Sequence, residues 1–92
     1  MSRKLVIRIV ADALGDQREA GKYILSFDPQ YPHPLGIGKL ELTKSIEMAQ
    51  KFPNLELAMA FWKQQSPTVP LRDDGRPNRP LTAYTITFES VD

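Results

Sequence analysis

The sequence predicts an α+β protein, a small antiparallel sheet of three to four strands packed against one main helix. Three observations carry that prediction. Tyr84, Ile86 and Phe88 alternate with Thr85, Thr87 and Glu89, the period-two pattern of a half-buried strand. Leu55, Ala58, Met59 and Trp62 recur at the helical spacing i, i+3, i+4, i+7. The chain is 92 residues long, enough for one small domain spanning 1–92 and too short for two cores.

Taken in order, Leu5–Ala11 (LVIRIVA) is β-branched and bounded by polar residues, so it reads as a strand. Leu5, Ile7 and Ile9 share one face, and Arg8 makes the other at least partly wet. Residues 12–21 carry two glycines and three acids and read as a hairpin-like connection. Lys22–Asp28 is a second strand, antiparallel to the first, with Tyr23, Leu25 and Phe27 on one face. Asp28-Pro29 stops it. Pro29–Gly38 is a stiff, proline-rich crossing, and Lys39–Thr43 alternates like a short third strand. Thr43 can cap a helical turn through Ile46, Met48 and Ala49 that ends near Phe52-Pro53. Asn54 then caps the main helix, Leu55–Gln65, which Ser66-Pro67 ends. Leu81–Glu89 is the last strand. The expected core is Leu5, Ile7, Ile9, Leu25, Phe27, Leu42, Leu55, Met59, Trp62, Tyr84, Ile86 and Phe88.

Composition narrows the function. Apolar residues are 41% and charged residues 25%, which fits a folded domain and not a disordered one. The formal net charge of +1 lacks the positive excess of a dedicated duplex-DNA binder. The chain has no cysteine, so it holds neither a disulfide scaffold nor a thiolate metal site. Arg8 and Asp12 interrupt the apolar run near the N-terminus, which argues against a signal peptide, and no run is long enough to span a bilayer. A cytoplasmic protein without a membrane partner is expected.

Two stretches, LELTKSIEMAQKFPNLELAMAFWKQQS and VPLRDDGRPNRPLTAYTITFE, resemble short uncharacterised phage and prophage proteins of proteobacteria. The matching parts are Ala49–Phe52, Phe61-Trp62-Lys63 and Val69–Ala83, about the C-terminal half of the chain. The resemblance implies a phage-related gene context and no particular activity.

The residues themselves offer little catalytic equipment. His33 is the only histidine, and it is wedged between Pro32 and Pro34 with no serine nearby in sequence. No ligand pair has metal spacing. Gly36-Ile37-Gly38 lacks the third glycine and the following helix of a phosphate loop, and is better read as a bend into the third strand. Asp73-Asp74 is flanked by Arg72 and Arg76, and Asp74-Gly75 is a turn signal, so these read as solvated turn acids. No enzyme activity and no cofactor are expected.

The Ser66–Pro80 segment is the candidate site. Four prolines and an Asp-Gly turn make it stiff, although it has no recognisable element. One reading is a rigid strap that delivers the last strand in register, its arginines paired with Asp73, Asp74 or sheet-edge carbonyls. The other is a ridge on which Arg72, Arg76, Asn78 and Arg79 contact an acidic protein partner or nucleic-acid phosphates. Phe61, at the edge of the helical stripe, is a candidate aromatic anchor, whereas Trp62 reads as core. The leading expectation is a non-enzymatic protein-interaction module with an unknown protein partner. A nucleic-acid-binding accessory protein using Arg72, Arg76, Arg79 and Lys63 is the alternative, and self-association through an open sheet edge is a further expectation.

Overall fold

The computed structural model describes residues 3–91. Their order is β1 (Lys4–Asp12), β2 (Tyr23–Asp28), β3 (Lys39–Thr43), α1 (Leu55–Trp62), a 3₁₀ helix (Pro80–Ala83) and β4 (Tyr84–Val91). The strands form one antiparallel sheet in the order β3-β2-β1-β4. The α+β architecture expected from the sequence is the one observed.

The long central pairing is β1 with β4, from Lys4↔Val91 to Asp12↔Tyr84, with a bulge at Val10. β2 meets β1 only at Arg8↔Tyr23 and then leaves it. The segment after β3 fills the space. Phe52 and Leu5 exchange both backbone hydrogen bonds at 2.8 Å, and the Gln50 N–H donates to the Ile24 carbonyl at 2.9 Å. The expected helical turn after Thr43 is a single turn at residues 46–48, with the Thr43 hydroxyl accepting the Ser45 N–H.

The core cluster is Ile7, Ile9, Ile24, Phe52, Ala58 and Leu81, with Leu5, Phe27, Leu42, Trp62, Tyr84, Ile86 and Phe88 packed around it. Leu25, Leu55 and Met59 were expected there and lie outside. A bulge between Ile24 and Ser26 flips the β2 face, so Ile24 and Phe27 point to the core while Tyr23 joins Arg8 on the other side. Leu55 is the exposed first residue of α1. Met59 lies about 100° round the helix from Ala58, whose small side chain lets α1 approach β1.

α1 also ends at Trp62 and not at Gln65. The Gln64 side chain folds back onto the Phe61 carbonyl at 3.0 Å, and the Gln65 amide donates to the Pro70 carbonyl at 2.6 Å. Those residues are thereby committed to the following loop. Residues 81–83 are helical and not strand, because the Arg79 carbonyl accepts both the N–H and the hydroxyl of Thr82, at 3.0 and 2.6 Å.

On the face opposite the core, Glu89 ties three strands together. Arg8 donates to its Oε1 at 3.0 Å and the Tyr23 hydroxyl to its Oε2 at 3.3 Å. That face is not wet throughout, since Val6, on the same side as Arg8, is fully buried. No helix among the described residues is long and apolar enough to cross a membrane.

Candidate functional site

The Ser66–Pro80 segment is a folded object. Leu71 bridges Pro77 in a miniature hairpin whose tip is Asp73–Gly75. The Arg72 N–H donates to the Arg76 carbonyl at 2.8 Å and the Asn78 N–H to the Pro70 carbonyl at 2.9 Å. Asp74 accepts the Arg76 N–H at 2.9 Å, as its place before Gly75 in a turn requires. Ser66 closes the base: its N–H donates to the Asn78 carbonyl at 2.7 Å, and its hydroxyl accepts the Val69 N–H at 3.1 Å.

This hairpin is docked onto the proline-rich crossing. The buried Asn78 amide donates to the Val69 carbonyl at 2.8 Å and to the Leu35 carbonyl at 3.0 Å, joining residues 43 apart in sequence. Gly36 makes the close approach feasible. A Cβ there would stand 2.6 Å from both the Ser66 hydroxyl and the Val69 Cβ, and its φ is +67°. Within the crossing, His33 Nδ1 accepts the Leu35 N–H at 3.0 Å, a local turn role.

The docked loops and the neighbouring β1–β2 connection carry an apolar shelf. Leu14 is 94% exposed, Leu35 67%, Leu71 54% and Ile37 47%. A cleft of about 470 Å³ opens between the β1–β2 hairpin, the start of β3 and the 3₁₀ helix, with Leu14, Ile37, Leu40, Leu81 and Tyr84 in its walls. Ile37 also lines a second depression of about 270 Å³ with Leu35, Val69 and Leu71, so the two form one surface. Exposed apolar side chains also occur elsewhere, at Met48, Leu55 and Leu57, but they line neither of these depressions.

Three ion pairs lie beside the shelf. Arg18 pairs with Asp16 at 2.7 Å, Lys22 with Glu19 at 2.7 Å, and Arg76 with Asp74 at 3.9 Å. The guanidinium of Arg18, and then its backbone N–H, hold the Asp16 carboxyl below the ordinary aspartate range, and the same pairing raises Arg18. Asp12 Oδ1 is occupied by the N–H groups of Leu14 and Asp16. Among the described residues, no group of three or more His, Asp or Glu side chains is placed to hold a metal ion.

The structure thus divides the residues singled out from sequence. Arg72, Arg76 and Arg79 are exposed on or beside the hairpin. Asn78 is buried and pins the loop, so it is not offered to a partner. Phe61 packs edge-on to Phe27 and tilted against Phe52, with centroids 6.3 and 4.9 Å apart, which makes it a partly exposed wall of the core. The shelf residues were not singled out. Their signal was present in the sequence: Leu14, Leu35 and Ile37 are large apolar residues set among turn formers, where no element buries them.

Comparison with known proteins gave no matching family model, no matching curated protein and no matching solved structure.

Proposed function

We propose that the chain is a small non-enzymatic protein-interaction module, of the phage or prophage type that its C-terminal half resembles, working in the cytoplasm. The observation that carries this reading is the apolar shelf formed by Ile37, Leu35 and Leu71, on two loops locked together by Asn78 and Gly36, with Leu14 of the neighbouring β1–β2 connection. Its occupant is an apolar segment of another protein, because the walls of the two depressions are mostly apolar side chains, with Asp12, Arg72 and Asp73 the charged residues among them. A locked platform loses little conformational freedom on binding, which favours affinity from a modest area. The loop's own acids, Asp73 and Asp74, stand beside its arginines and weaken the case for phosphate recognition.

The test is capture from lysate with and without nuclease, using the parent, Leu14→Asp/Ile37→Asp, and Arg72→Ala/Arg76→Ala/Arg79→Ala. The reading expects a protein that survives nuclease, is lost with the shelf variant and is retained with the arginine variant. Capture abolished by nuclease would overturn it in favour of nucleic acid, and nuclease-resistant capture lost with the arginine variant alone would overturn it in favour of an acidic protein partner on the arginine ridge.

A further inference from the structure

We infer that β4 is a self-pairing edge, and that two copies join antiparallel through it, about a two-fold axis at Thr87, to make a continuous eight-stranded sheet. This goes beyond the loop shelf and uses a different surface.

The direction of the β4 backbone groups follows from the pairing of β1. Leu5 exchanges hydrogen bonds with Phe52, and Ile9 with Lys22 and Gly21, so both point away from β4. The alternate residues Lys4, Val6 and Arg8 therefore point towards it and bond their register partners Val91, Glu89 and Thr87. Ile86, Phe88 and Ser90 are left with N–H and C=O groups directed at the outer edge, where no strand of the described residues pairs with them.

An open edge is ordinarily protected by lysine, proline, a bulge or shortness. The β3 edge is five residues long and carries Lys39. β4 is eight residues long, has no lysine, arginine or proline, and its register bulge lies on β1. Its single charge, Glu89, is held by Arg8. Ile86 and Phe88 are only half-buried at this edge, so apolar surface runs out to where a second strand would add.

The strand is most complementary to itself in one register. With Thr87 opposite Thr87 of the second copy, Ile86 meets Phe88 twice on the core side, and Thr85 meets Glu89 twice on the other. No like charges face each other. Ile86 pairs fully with Phe88 of the second copy, and the Ser90 N–H reaches the Tyr84 carbonyl. Sliding towards Tyr84 runs the strands into the 3₁₀ helix, where the Leu81 carbonyl already holds the Tyr84 N–H. Sliding towards Val91 sets Ser90 against Ile86 and leaves Phe88 against Phe88 as the one apolar pair in place of two.

The chain has no cysteine, so one introduced thiol gives a direct readout of register. Thr87 and Thr85 are both exposed, and either tolerates the change without loss of core. In the proposed pairing, the two copies of residue 87 form a non-hydrogen-bonded pair with Cα atoms about 4.5 Å apart, within disulfide reach. The two copies of residue 85 stand roughly 13 Å apart, beyond it. Mild oxidation of Thr87→Cys is expected to give a covalent dimer at least about tenfold faster than Thr85→Cys, with the parent showing concentration-dependent doubling of mass by sedimentation equilibrium. Equal cross-linking of the two variants, cross-linking of neither, or a parent that stays monomeric at millimolar concentration would overturn the inference. The loop shelf is untouched by either substitution, so the two readings fail separately.

Discussion

Asn78 holds the loop platform at one point. Its amide has two buried-side acceptors, the carbonyls of Val69 and Leu35, and no shorter side chain replaces them. Asn78→Ala leaves both without a partner and should cost about 2 kcal/mol by urea denaturation. Gly36 and Gly75 separate space from conformation. Both have positive φ, but a Cβ at Gly75 meets nothing within 4 Å, whereas one at Gly36 collides with Ser66 and Val69. Gly75→Ala should therefore cost about 1 kcal/mol from backbone strain alone, and Gly36→Ala clearly more, in the same measurement. Asp16 gives the pH dependence. Its folded-state pKa is depressed by Arg18, so the stability it contributes is present above the unfolded aspartate pKa and lost as pH falls through the lower folded value. A carbon-13 titration of the Asp16 carboxyl should show a midpoint below the ordinary aspartate range. Arg18→Ala should return it to that range, and a midpoint unmoved by the substitution would remove the ion pair as the cause.

At the scale of elements, the strands were legible because their alternation is strong. Leu5–Ala11 and Lys39–Thr43 were placed to within a residue or two, and the sheet with one helix follows from them. What was not legible came from non-local partners. The β2 face depends on a bulge at Leu25, which no alternation in YILSFD announces. The helix end depends on Gln64 and Gln65 being claimed by Phe61 and Pro70, and the 3₁₀ helix on Arg79 being claimed by Thr82. The strap was legible as a stiff loop, but its lock depends on Leu35, far away in sequence. The site divided the same way. The exposure of the arginines was readable from their turn, whereas Asn78 reads as a surface residue until its partners are known. For Phe61 the structure makes a firm prediction. Removing a half-buried ring packed edge-on to Phe27 and tilted against Phe52 in Phe61→Ala should cost about 2–3 kcal/mol in urea. A partner anchor would instead lose binding with stability intact.

At the scale of the whole molecule, the shape is thin, with extents of 43 × 27 × 20 Å. One helix of eight residues covers part of one sheet face, and the docked loops stand beyond it. A body of this kind has much edge and little interior. The central claim is that the shelf around Leu14 and Ile37 receives an apolar segment of another protein. Site-directed photocrosslinking tests it most directly, with a benzophenone side chain placed singly at Leu14, Ile37, Arg76 and, as a control on the opposite face, Glu41. The account predicts one nuclease-resistant protein adduct from Leu14 and Ile37 and none from Glu41. Adducts to nucleic acid from Arg76, with none from Leu14 or Ile37, would contradict it.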